Sequence, residues 1–120
     1  MILVAVDDLL FSSKIRATAR QVGVELTFAR TPPDILSQAR ALKPSLVIFD
    51  INSQKADPLN TVAALKADPE LRGIPTTGFV SHVDTSLIMA ARGAGMDEVM
   101  ARSAFVANLS RILSEREPRS

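Results

Sequence analysis

The chain has 120 residues, 47% of them hydrophobic and 22% charged, which is the size and balance of one globular domain and excludes both a two-domain protein and a disordered chain. It contains no cysteine, so a disulfide framework, a thiolate metal site and a thiol nucleophile are all excluded, and a reducing compartment such as the cytoplasm is expected. Fourteen basic against 13 acidic residues leave a net charge of +1, too small to draw the chain to nucleic acid or to an anionic membrane by its overall field.

The opening MILVAVDD lacks the basic start and small-residue cleavage site of a signal peptide. No apolar run approaches the roughly 20 residues of a membrane helix. The chain therefore reads as a soluble, cytoplasmic protein.

Short β-rich apolar runs alternate five times with segments that are apolar every three or four residues. The first strand spans Ile2 to Val6. A helix from about Leu10 carries Phe11, Ile15, Ala19 and Val22 on one stripe and stops at Gly23. Val24 to Ala29 form a second strand, interrupted by Glu25 and Thr27. Thr31 caps a helix with Pro32 at its first position, with Ile35, Leu36, Ala39 and Leu42 pointing inward and Pro44 ending it.

The third strand, Leu46 to Phe49, is wholly apolar and runs into Asp50. Asp57 and Pro58 repeat the cap-and-proline device before a helix that buries Leu59, Val62 and Ala63, and the breaker-rich stretch from Asp68 to Pro75 closes it. The fourth strand covers about Thr76 to Val80. Asp84 caps the next helix, which reaches about Arg92 before Gly93 and Gly95. Glu98 to Ala101 make a short fifth strand, and Ser103 caps a last helix with Phe105, Val106, Leu109, Ile112 and Leu113 inward. One domain over residues 1–115 is expected, with residues 116–120 a polar tail or the stub of a linker.

Strands that alternate with helices return by right-handed crossovers and build a parallel sheet covered on both faces. Strands one and three are the purest apolar runs and belong at the centre, whereas strands two and five are interrupted or short and belong at the edges. The expected fold is therefore α/β, a flavodoxin-like doubly wound sheet with strand order 2-1-3-4-5, whose ligands sit beyond the carboxyl ends of strands one and three.

That edge is acidic. Asp7 and Asp8 follow strand one, Asp50 follows strand three, Ser81 follows strand four and Arg102 follows strand five. A single acid at such a place is ordinarily a cap or turn residue. Together, three carboxylates against one guanidinium leave about two surplus negative charges in a shared crevice, which a divalent cation would neutralise. All the ligands are hard oxygens, which favours Mg2+ or Mn2+ over zinc.

From Met1 to about Glu115 the chain resembles the receiver domain of bacterial two-component response regulators. The resemblance rests on ILVAVDD at the start, PSLVIFD around Asp50, LKADPELRGIP before strand four, FVS ending at Ser81 and GAGMDEVMAR ending at Arg102. It implies that Asp50 accepts a phosphoryl group from a sensor histidine kinase or a phosphotransfer protein. It further implies that Asp7, Asp8, Asp50 and the backbone carbonyl of Asn52 hold Mg2+, while Ser81 and Arg102 contact the phosphoryl oxygens. The signal would then pass by protein contacts to an output domain or effector, with a homodimer as one further arrangement. On this reading the chain is no enzyme beyond its own phosphorylation and dephosphorylation.

Several positions depart from the family pattern. Arg102 stands where the family has lysine, Ser103 where it has proline, and Val99 where it usually has an aromatic ring. The loop after Asp50 reads INSQKADP in place of a Met-Pro-Gly stretch, and His82, the one histidine, follows Ser81 where a very small side chain is usual. These changes keep open an alternative, a receiver-like interaction module that works without phosphorylation. An Mg2+-dependent phosphohydrolase fits less well, because Asp7 and Asp8 are adjacent rather than two residues apart and no cap region is present. Lys14, Arg16 and Arg20 give the first helix a basic side suited to an acidic kinase partner. All five aromatics are Phe and most lie on buried stripes, so no stacking platform for nucleic acid is expected.

Overall fold

The computed structural model of the chain describes residues 1–82 and 84–115; the expected polar tail over residues 116–120 lies outside them. The elements are β1 (Ile2–Ala5), α1 (Leu9–Val22), β2 (Leu26–Phe28), α2 (Pro32–Leu42), β3 (Leu46–Asp50), α3 (Pro58–Ala67), β4 (Thr76–Val80), α4 (Thr85–Gly93), β5 (Glu98–Ala101), α5 (Arg102–Ala107) and α6 (Leu109–Glu115). The five strands are parallel and lie in the order β2-β1-β3-β4-β5, as expected from their apolar content.

Because successive side chains of a strand point to opposite faces, each central strand serves two cores. Ile2 and Val4 of β1 join Leu46 and Ile48 of β3 beneath α1, α5 and α6, with Phe11, Ile15, Ala19, Phe105, Leu109, Ile112 and Leu113. Leu3 and Ala5 join Val47 and Phe49 on the other face, beneath Ile35 and Ala39 of α2, Val62 and Leu65 of α3, and Ala91 of α4. The β3 backbone is thereby fixed from both sides, and with it the start of the Asp50 side chain.

Gly78 of β4 admits a close packing that positions the loop after Asp50. A methyl group at Gly78 would collide with the side chains of Ile51 and Met96. Glycine there lets Ile51, itself buried, seat against the sheet directly after Asp50.

Some local expectations are corrected. β1 stops at Ala5, and β2 is only three residues long. Leu42 is exposed, as is Ala63; α3 instead buries Pro58, Thr61, Val62 and Leu65. Thr31 and Asp57 precede their helices, yet neither side chain caps one. Asp57 sits in the left-handed region at φ 42°, and its carboxylate accepts from the Asn60 amide instead. Ser103 is not a cap. The helix begins two residues earlier than such a cap implies, at Arg102, with Ala101 before it, and is interrupted at Asn108 between α5 and α6. Among the described residues no helix is long and apolar enough to cross a membrane.

Candidate functional site

Parallel strands deliver their carboxyl ends to one edge, and the pairing of β1 with β3 sets Ala5 opposite Phe49. Continued by one residue, that register sets Asp50 level with Val6, and Asp7 follows directly after it. Asp7, Asp8 and Asp50 line one open cavity of about 550 Å3, completed by Ser53, Gln54 and Lys55 from the loop after β3.

Each carboxylate already has a partner. Asp8 caps α1, its side chain accepting a hydrogen bond from the Phe11 N–H at 3.0 Å. Its other oxygen lies 3.7 Å from the Arg102 guanidinium. Asp7 lies 3.7 Å from Nε of Arg30, which follows β2. Asp50 accepts from the Asn52 N–H at 3.0 Å, a turn geometry that holds the carboxylate against its own loop.

Asp50 is half-buried, and burial pushes its carboxyl above the usual range. The Asn52 N–H and the Arg102 guanidinium oppose that shift, while the Asp8 and Asp7 charges add to it. An anion so placed is short of solvation and attracts any cation that reaches the cavity.

Arg102 opens α5, where the helix dipole disfavours a positive charge. Two contacts compensate: the pairing with Asp8, and the Phe11 ring, whose centroid is 4.1 Å from the guanidinium carbon. Phe11 is itself fixed by Phe79 and Phe105, at centroid distances of 4.9 and 6.0 Å. An aromatic trio in the core therefore carries the platform for the site's arginine.

Ser81 and Asn52 do not line the acidic cavity. Ser81 borders a neighbouring depression with Ala101, Arg102, Ser103 and Val106. A relay joins the two places: the Asn52 N–H donates to Asp50, and the Asn52 side-chain oxygen accepts from the Ser81 N–H at 2.8 Å. His82 is exposed beside Ser81. Val99 is half-buried and packs against the α2, α3 and α4 side of the core.

Sequence reasoning found the three acids but undercounted the cations. Arg30 and Lys55 share the cavity's surroundings with Arg102, so the expected surplus of two negative charges is reduced. Arg30 follows β2 as Asp7 follows β1, and the same strand-end logic would have located it. Nor are the acids drawn into a finished cage: among the described residues no three acidic, histidine or cysteine side chains stand close enough to coordinate one ion. The donor set still fits a hard divalent cation, because three carboxylates line one open cavity and two of them already hold guanidinium groups.

Comparison with known proteins divides sharply between sequence and structure. No family model matches the chain, and no curated protein does. Solved structures do. The response regulator from Hahella chejuensis superposes with a TM-score of 0.85 over 96% of this chain and 92% of its own, at 20% identity. The chain has the receiver fold. The chemotaxis response regulator CheY4 of Vibrio cholerae shares that fold at a TM-score of 0.81 and 15% identity, with 97% of each chain covered. So does the receiver domain of the sensor histidine kinase PA1611 from Pseudomonas aeruginosa, at 0.82 and 20% identity over 95% of this chain and 93% of its own. That structure has a magnesium ion coordinated in its active-site cleft. The resemblance read from the sequence thus holds for the receiver fold across nearly the whole chain.

Proposed function

We propose that residues 1–115 are a phosphoacceptor signalling module, with Asp50 as the acceptor. The observation that carries this reading is the placement of a half-buried, poorly solvated carboxylate at the end of β3, in one cavity with Asp7 and Asp8. The donor is a sensor histidine kinase or a phosphotransfer protein, and the site works in the cytoplasm.

In the transfer, an Asp50 oxygen forms a bond to phosphorus as the bond from phosphorus to the donor's histidine nitrogen breaks, and the imidazole leaves with that electron pair. The Asn52 N–H holds one Asp50 oxygen and leaves the other free to attack. Asp7, Asp8, Asp50 and the Asn52 backbone carbonyl would hold a divalent ion, which would supply positive charge to the phosphoryl oxygens. Arg102, on its Phe11 platform, turns from Asp8 to the phosphoryl group. The Ser81 hydroxyl donates to a phosphoryl oxygen, and the Asn52 link between Asp50 and Ser81 makes the end of β4 responsive to the charge on Asp50. An effector or output domain then reads the altered surface through protein contacts.

A second reading, an interaction module independent of phosphorylation, is favoured by the guanidinium groups already standing at Asp7 and Asp8. Incubation with Mg2+ and acetyl phosphate separates the two. Phosphoacceptor function predicts a gain of one phosphoryl group by intact mass, lost on omission of Mg2+ and in Asp50→Ala. No gain in the parent, or an undiminished gain in Asp50→Ala, overturns it.

A further inference from the structure

Arg30 stands beside the site as a cation paired with Asp7, and the phosphoryl chemistry does not require it. It follows β2, the edge strand beside β1, and its Nε lies 3.7 Å from Asp7 Oδ1. Both side chains are substantially exposed, 54% for Arg30 and 39% for Asp7, so the pair is loose and the arginine is free to swing away. Arg102 stands at the same 3.7 Å from Asp8, but Arg102 is additionally seated on Phe11. Among the described residues Arg30 has no such seat: the aromatic ring of β2, Phe28, is taken by Arg16, at 4.2 Å.

We propose that Arg30 is a specificity-determining residue of the acidic cavity, an internal cation that occupies Asp7 and must be displaced before a divalent ion takes that carboxylate. The inference rests on the metal-binding reading of the cavity and deepens it. An acid cannot give its full charge to a guanidinium and a metal ion together, and the displaced guanidinium still repels the incoming ion at short range. Arg30 therefore weakens divalent binding and sets the ion concentration at which the cavity fills. Because exposed pairs of this kind are individually weak, removing Arg30 tightens binding by about two- to fivefold rather than by orders of magnitude.

Calorimetric titration of the full chain with Mg2+ tests this with the parent, Arg30→Gln, Arg30→Lys and Arg111→Gln. Arg111 pairs with Glu115 on α6, so Arg111→Gln removes the same charge away from Asp7. The expected result is tighter binding in Arg30→Gln, with Arg30→Lys and Arg111→Gln close to the parent. Equal affinity in the parent and Arg30→Gln overturns the role of Arg30 and leaves the metal site standing. Equal tightening in Arg111→Gln also overturns it, by showing a general charge effect. Mg2+ binding by neither the parent nor Arg30→Gln overturns the metal reading itself, and this inference with it. Thermal unfolding of each variant verifies that the fold is retained, as the exposure of Arg30 requires.

Discussion

Asp8 carries two roles that substitution can separate. Its carboxylate caps α1 through the Phe11 N–H at 3.0 Å, and it is one of the proposed metal ligands. In Asp8→Ala the cap is lost, which costs about 1 kcal/mol. The ion pair with Arg102 adds little, since the two side chains are 38% and 45% exposed and stand 3.7 Å apart. For a domain of this size that loss lowers the unfolding midpoint by about 4 °C. Asparagine caps a helix as well as aspartate does, so Asp8→Asn unfolds near the parental temperature. Mg2+ at roughly ten times its dissociation constant adds about 1.4 kcal/mol to the parent by mass action, a rise of about 5 °C, and the rise is lost in both variants. Thermal unfolding by circular dichroism, with and without Mg2+, reads all six states. An Asp8→Asn midpoint as low as that of Asp8→Ala would refute the cap argument, and a parental Mg2+ response in either variant would refute the ligand role.

Two further outcomes concern stability and pH. The folded-state pKa of Asp50 is raised, chiefly by burial, so its favourable contribution is present below the ordinary carboxylate pKa and lost as pH rises through the folded value. Asp50→Asn is therefore more stable than the parent at neutral pH, and the difference closes toward pH 4 in denaturant titrations; a less stable variant at neutral pH contradicts this. At the opposite end of the sheet, Lys66 donates to the carbonyls of Arg72 and Ile74 and to Asp97 at 3.2, 2.9 and 2.9 Å. Asp97 also accepts from the N–H and hydroxyl of Thr76. Burial raises the Asp97 pKa, but the Lys66 and Thr76 hydrogen bonds outweigh it and leave the carboxyl below its usual range. Stability from this node is present above the ordinary carboxylate pKa and lost as pH falls through the lowered one. Lys66→Met destabilises by about 2 kcal/mol at neutral pH and flattens that acid limb; an unchanged acid limb would show that Asp97 is held by Thr76 alone.

The parts of the molecule legible in the sequence are those where one physical rule dominates. LVIF before Asp50 has no polar interruption, so β3 had to be central and Asp50 had to emerge beside the acids after β1. Arg30 stands at the same edge but lies after β2, a weak, half-buried edge strand whose end attracts no attention. Helix α3 reads VAAL at its centre, apolar on every side, so periodicity could not tell that Leu65 is buried and Ala63 exposed. Caps depend on backbone angles as well as residue type: Asp8 and Asp84 are extended and cap their helices, whereas Asp57 lies in the left-handed region and does not. The Asn52 bridge and the Phe11 platform under Arg102 join side chains far apart in the chain. No local pattern announces them.

Asp50, and no other side chain, is proposed to receive the phosphoryl group. Reduction of the acyl phosphate with borohydride after incubation with Mg2+ and acetyl phosphate, followed by peptide mass mapping, locates the acceptor directly. The expected result is conversion of Asp50 alone to the reduced residue. Conversion at Asp7 or Asp8, an acid-labile phosphoryl group on His82, or an unmodified chain would contradict it.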